Sequence, residues 1–177
     1  MAAEQIAAAW RRSESLLQRR PETGLHEDST ATARWEGGLR IAASHANGTQ
    51  VLTDMPVELG GSGDRVTPGW LLRAGFASCT ATRIAMAAAA EQIELQALEV
   101  SASSRSDLRG LLGMADADGT QVDAGPRDVE MRVRISARGV PEQRLRALVE
   151  ESYRCSPMAR ALTNALPVAL RIEIEVR

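Results

Sequence analysis

The chain has 177 residues, 44% of them hydrophobic and 25% charged, with a formal net charge of −2. That describes one ordinary globular domain, able to bury roughly 70% of its unfolded surface, not a disordered or membrane-spanning chain. Only 3% of residues are aromatic and all 21 basic residues are arginine, which argues against nucleic-acid stacking, Schiff-base chemistry and lysine-dependent nucleotide loops.

Residues 2–18 read as a helix with sparse apolar positions at Ile6, Trp10, Leu16 and Leu17. Arg19-Arg20-Pro21 ends it, because the residue before a proline avoids the helical region. Residues 21–30 read as polar linker, so 1–29 form an N-terminal extension and 30–177 the main domain. Ala31–Trp35 and Leu39–Ser44 read as strands across Gly37-Gly38. Asn47-Gly48 is a two-residue turn signal followed by a third strand, Gln50–Thr53. Leu59–Asp64 is a glycine-rich loop.

Thr67-Pro68 starts a helix, with a capping hydroxyl followed by proline at the first helical position. The helix is expected to run to about Gln92, and its small and apolar residues on nearly every side mark it as buried. Leu98, Val100 and Ala102 alternate in the next strand, and 110–125 is an acidic loop. Val129, Met131, Val133 and Ile135 alternate again. Pro141 starts a helix that Cys155-Ser156-Pro157 interrupts, with Ser156 as the cap of a further helix to Asn164. Val168, Leu170, Ile172, Ile174 and Val176 form the clearest strand. Strands grouped around a buried helix indicate an α+β fold.

The opening residues lack a basic start followed by an apolar run, and Ile84–Ala90 is too short to span a bilayer. A cytoplasmic location is therefore expected, with no membrane or nucleic-acid partner. There, Cys79 and Cys155 are not expected to form a permanent structural disulfide. Cys79 lies about three turns into the buried helix, where a thiolate needs a cationic neighbour and Arg83, at i+4, is the local one. Equally, Cys79 reads as a small hydrophobe in a core. Cys155 immediately precedes a helix cap, where unsatisfied amides favour the thiolate. His26 and His45 have no partner at metal-ligand spacing. Gly60-Gly61-Ser62-Gly63-Asp64 fails the nucleophile-elbow pattern at its last position. Asp116-Ala117-Asp118-Gly119 lacks the closing glutamate of a calcium loop.

Taken in order, Pro56-Val57-Glu58-Leu59-Gly60-Gly61-Ser62-Gly63, Thr67-Pro68, Ala77-Ser78-Cys79 and Tyr153-Arg154-Cys155-Ser156-Pro157 resemble the OsmC/Ohr family. These are the osmotically inducible protein C and organic hydroperoxide resistance proteins. The resemblance covers about residues 30–177. It implies antiparallel sheets around a central cysteine-bearing helix, in an intertwined homodimer. It also implies a thiol peroxidase of oxidative-stress defence that reduces a small organic hydroperoxide. Cys79 would be the peroxidatic thiolate and Cys155 the resolving thiol, close enough to pair. An external dithiol would restore both, with no metal, haem, flavin or other cofactor required.

Two features depart from the family pattern. The place after the helix-starting proline, a glutamate in family enzymes, is Gly69. The family's thiolate-supporting arginine lies in the early strands, where Arg34 and Arg40 both stand. The alternative is a non-catalytic dimer of the same fold that binds a small apolar ligand or senses oxidants through its thiols.

Overall fold

The computed structural model describes residues 2–164 and 167–174. Helix α1 (Ala2–Arg19) is followed by a short 3-10 turn at Pro21–Gly24 and three strands, β1 (Thr32–Gly37), β2 (Arg40–Ser44) and β3 (Gln50–Thr53). These pair antiparallel in the order β1-β2-β3. The register sets Arg34 opposite Ala42 and Ile41 opposite Thr53. Gly37 and Gly38 both have positive φ, which lets the first turn close.

Helix α2 (Pro68–Ala90) begins as the sequence indicates: the Thr67 side chain accepts from the Trp70 amide at 3.2 Å and proline follows at the first position. Strands β4 (Leu95–Arg105) and β5 (Arg127–Ala137) form a separate antiparallel pair. Helices α4 (Glu142–Arg154) and α5 (Pro157–Thr163) follow the one-turn helix α3 (Leu108–Leu111) and β5. The core joins Ile84, Ala87 and Ala88 of α2 to Leu148 of α4. Leu98, Val100, Val133 and Ile135 on one face of the β4–β5 pair pack against it. Burying Ile84 and Leu148 completely stabilises the fold by about 2 kcal/mol each before entropy is counted.

The chain departs from the sequence-based expectations at three places. Helix α2 is buried on one face, through Phe76, Thr80, Ile84, Ala87 and Ala88, while Trp70, Leu72 and Met86 are exposed. Its neighbours within the chain cover only part of its circumference. The 110–125 stretch is the solvent-exposed acidic loop that the sequence indicates, anchored by Arg109, which bonds Asp107 and Asp116, each at 2.6 Å, and by the buried Val122. Hydrogen bonds from the Arg109 side chain and amide hold the Asp107 carboxyl down to about 2.

Ser156 occupies the N-cap of α5 without a side-chain capping bond. Finally, residues 167–174 form no strand. Val168, Leu170, Ile172 and Ile174 alternate as a strand requires, yet all four are at least 74% exposed. A strand needs an edge to bond to, and the described residues offer this segment none; Val176 lies outside them.

Candidate functional site

Helix α2 sets the first element of the site. Three turns after its cap it presents Cys79, half-buried, next to the fully buried Thr80. Helix α4 packs against the same stretch, with the Tyr153 ring edge-on to Phe76 at 6.2 Å between centroids. That contact brings the α4–α5 junction over α2. Cys155 ends α4 and is exposed, while the next residue, Ser156, is fully buried.

The Ser156 hydroxyl donates to the Cys79 sulfur at 3.4 Å, although 77 positions separate the two residues. It also lies 3.2 Å from the Thr80 hydroxyl. Both cysteines are free thiols. The geometry therefore unites the two cysteine-bearing segments, with a chain of hydroxyls ending on the deeper sulfur. Beside Thr80, between β5 and α4, a cleft of about 410 Å³ is lined by Met131, Val133, Val149 and Tyr153, with Glu150 and Arg154 adding charge.

Arg154 lines that cleft, while Arg83, Arg73 and Arg40 have partners of their own. Arg83 carries its guanidinium over the Trp10 ring of α1, 4.7 Å from the centroid, and its buried Nη1 has no hydrogen-bond partner among the described residues. Arg73 bonds Ser104 on β4 at 3.2 Å. Arg34 is exposed on β1. Arg40 bonds Asp64 at 2.6 Å and Ser62 at 2.9 Å, and reaches Asp54 at 3.4 Å. Among the described residues, none of these side chains hydrogen-bonds Cys79 or Cys155.

Arg40 instead helps hold the glycine-rich loop in front of α2. Asp54, buried at the end of β3, accepts from the Met55 amide at 2.8 Å, the Ser62 amide at 3.2 Å and the Ser62 hydroxyl. The Ser62 hydroxyl first, then the Met55 amide, hold the Asp54 carboxyl down to about 2. A carboxyl depressed in the fold stabilises it fully above the ordinary carboxylate range, and that support is lost as pH falls through about 2. Gly61 is forced by the close approach: a Cβ there would lie 1.9 Å from the Met55 carbonyl oxygen.

The family model for OsmC-like protein matches residues 61–171, which span both cysteine segments. The chain belongs to the OsmC-like family. Among solved structures, an OsmC-like protein from Mycoplasma pneumoniae aligns with TM-score 0.64 and 16% identity, over 78% of this chain and 89% of that one. An OsmC-like protein of unknown function from Vibrio cholerae gives 0.58 and 12%, over 77% and 94%. An organic hydroperoxide resistance protein OsmC from Legionella pneumophila gives 0.56 and 20%, over 78% and 90%. At these identities the likeness is one of fold. Among curated proteins, none matches the chain.

Within this OsmC-like fold, His45 serves local structure: its Nδ1 accepts from the Asn47 amide at 3.1 Å. Among the described residues no group of three or more His, Cys, Asp or Glu side chains is placed to hold a metal ion. No described helix is long and apolar enough to cross a membrane. Sequence reasoning missed Thr80 and the destination of the Ser156 hydroxyl. The available signal was adjacency, since each of these hydroxyl residues directly follows a cysteine. Nothing in the sequence signalled Asp54, whose partners lie across a loop.

Proposed function

We propose that the protein is a thiol-dependent hydroperoxide reductase acting on organic peroxides, with Cys79 peroxidatic and Cys155 resolving. The observation that carries this reading is the Ser156–Cys79 hydrogen bond, which holds the segment bearing Cys155 against the half-buried Cys79 sulfur. In the first step the Cys79 thiolate attacks the distal oxygen of ROOH. An S–O bond forms, the O–O bond breaks, and the alkoxide leaves as ROH after taking a proton. The Cys155 thiolate then attacks the Cys79 sulfur, the S–S bond forms as the S–O bond breaks, and the departing hydroxide takes a proton to leave as water. An external dithiol reduces that disulfide by two exchanges and ends as a disulfide itself. The cleft beside Thr80 supplies apolar surface for an organic tail. Peroxide consumption with a dithiol reductant tests the reading: cumene hydroperoxide is expected to be reduced faster than hydrogen peroxide. No dithiol-dependent consumption of either would overturn it.

The working unit in this reading is an intertwined homodimer in the cytoplasm, with residues 1–29 an extension of a domain running from residue 30 to 177. Three features support exchange between copies. The strip Val168, Leu170, Ile172 and Ile174 is exposed and unpaired. Among the described residues the β4–β5 sheet has two strands, so each strand leaves an edge open to pair with another copy. A lone bridge between Thr53 and Val66 extends the β1–β3 sheet toward α2. Sedimentation at micromolar concentration is expected to give a dimer; a stable folded monomer would refute this assembly.

Gly69 and the capture of Arg40 by Asp54 and Asp64 favour a second reading, a non-catalytic dimer that senses oxidants or binds a small apolar ligand. The apolar groove along α1, lined by Ile6, Trp10, Leu17 and Met86, offers such a ligand room. Oxidation of the cysteines by peroxide without dithiol-dependent turnover would select this reading.

A further inference from the structure

We infer that Ser156 is a catalytic residue, the hydrogen-bond donor that holds Cys79 as a reactive thiolate, and that Thr80 is the positioning residue that aims it. The inference deepens the thiol-peroxidase reading and rests on it for the word catalytic. Ser156 stands at the N-cap of α5, where a serine side chain ordinarily accepts a backbone amide. Here it makes no such bond. Its hydroxyl is turned inward, fully buried, to 3.4 Å from the Cys79 sulfur and 3.2 Å from the Thr80 hydroxyl.

The proton count orders the chain. A thiolate only accepts, so the single Ser156 proton goes to sulfur. The Ser156 oxygen then accepts the Thr80 proton, and Thr80 Oγ1–H···Ser156 Oγ–H···Cys79 Sγ runs in one direction. Thr80 is also fully buried, so water does not compete for its proton. A hydroxyl hydrogen bond to an anion is stronger than one to a neutral group, which favours the charged sulfur. Arg83, one turn further along α2, is held over Trp10; from α4 the ionisable Glu150, Tyr153 and Arg154 line the cleft beside Thr80 and Cys155 follows them, and among the described residues no arginine hydrogen-bonds the Cys79 sulfur. Among the described residues, the hydrogen bond this sulfur accepts comes from the hydroxyl chain.

The test is alkylation by iodoacetamide in a Cys155→Ser background, so that Cys79 is the thiol read. Only the thiolate reacts, so a donor that favours it matters near neutrality and ceases to matter where solution pH ionises every thiol. Adding Ser156→Ala is expected to slow alkylation about tenfold at pH 7 and to leave the rate at pH 10 within about twofold. Ser156→Thr, which keeps a hydroxyl, is expected to restore most of the pH 7 rate. Thr80→Val is expected to slow it about threefold at pH 7 only, and it remains a test should Ser156→Ala fail to fold. A merely structural role would change the rate at both pH values alike. That result, or unchanged rates at pH 7 in both variants, would overturn the inference. Alkylation involves no peroxide, so absence of peroxide turnover with the pH 7 effect intact would refute the reductase reading alone.

Discussion

Cys79→Ser is expected to reduce dithiol-dependent consumption of cumene hydroperoxide to background, a loss of at least about a thousandfold. Serine's hydroxyl stays protonated and is a poor nucleophile toward oxygen, so the first S–O bond is never made. Cys155→Ser is expected to act differently. The first oxidation proceeds, but no thiol remains to displace the sulfenic hydroxyl, so turnover stops after one equivalent. Intact-protein mass spectrometry then shows one added oxygen, located on Cys79. The alternative assignment has a physical basis, because Cys155 is the exposed thiol and sits at a helix junction. Oxidation of Cys155 in the Cys79→Ser variant, at an equal or greater rate, would reverse the two roles.

Gly61→Ala is expected to destabilise the protein by about 3 kcal/mol through overpacking, lowering the thermal midpoint by roughly 10 °C. The added methyl would overlap the Met55 carbonyl and press within 2.8 Å of Asp54 Oδ1, both part of the knot that binds the loop. The carbonyl is backbone and the Asp54 carboxyl is tied by its bonds to Met55, Ser62 and Arg40, so relief requires moving backbone and loosening those bonds. Gly60→Ala is the control. Gly60 has φ +87° with open space around a Cβ, so the cost is conformational strain alone, about 1 kcal/mol. Thermal unfolding followed by circular dichroism measures both. Equal midpoints for the two variants would mean that the loop yields freely.

Much of this protein was legible in local chemistry. The Asn47-Gly48 signal marks the connection of β2 to β3, although the turn closes from His45 to Gly48, with positive φ at Gly48 and not at Asn47. Thr67-Pro68 sets the start of α2 by capping and by the fixed φ of proline, and Pro157 ends the run of α4 in the same way. The alternation of Leu98 and Val100, and of Val133 and Ile135, is the trace of a sheet with one face on the core. The order of glycine loop, cysteine helix and second cysteine carried the family resemblance that the 61–171 match then established.

Other features depend on what each segment meets, and no local pattern records that. Val168–Ile174 has the periodicity of a strand, but a ladder needs a second backbone, and the described residues offer it none. The small, apolar composition of α2 says that its surface suits burial, whereas α1, α4, α5 and β4 decide which face is covered. The direction taken by Arg40 was set by two aspartates and a serine brought up by a loop, since a guanidinium goes to the carboxylates that reach it. Ser156 reads in sequence as a helix cap. Tertiary packing turned its hydroxyl inward, because the Tyr153–Phe76 contact lays the α4–α5 junction on α2, where the buried Thr80 and Cys79 offer the polar partners a buried hydroxyl requires.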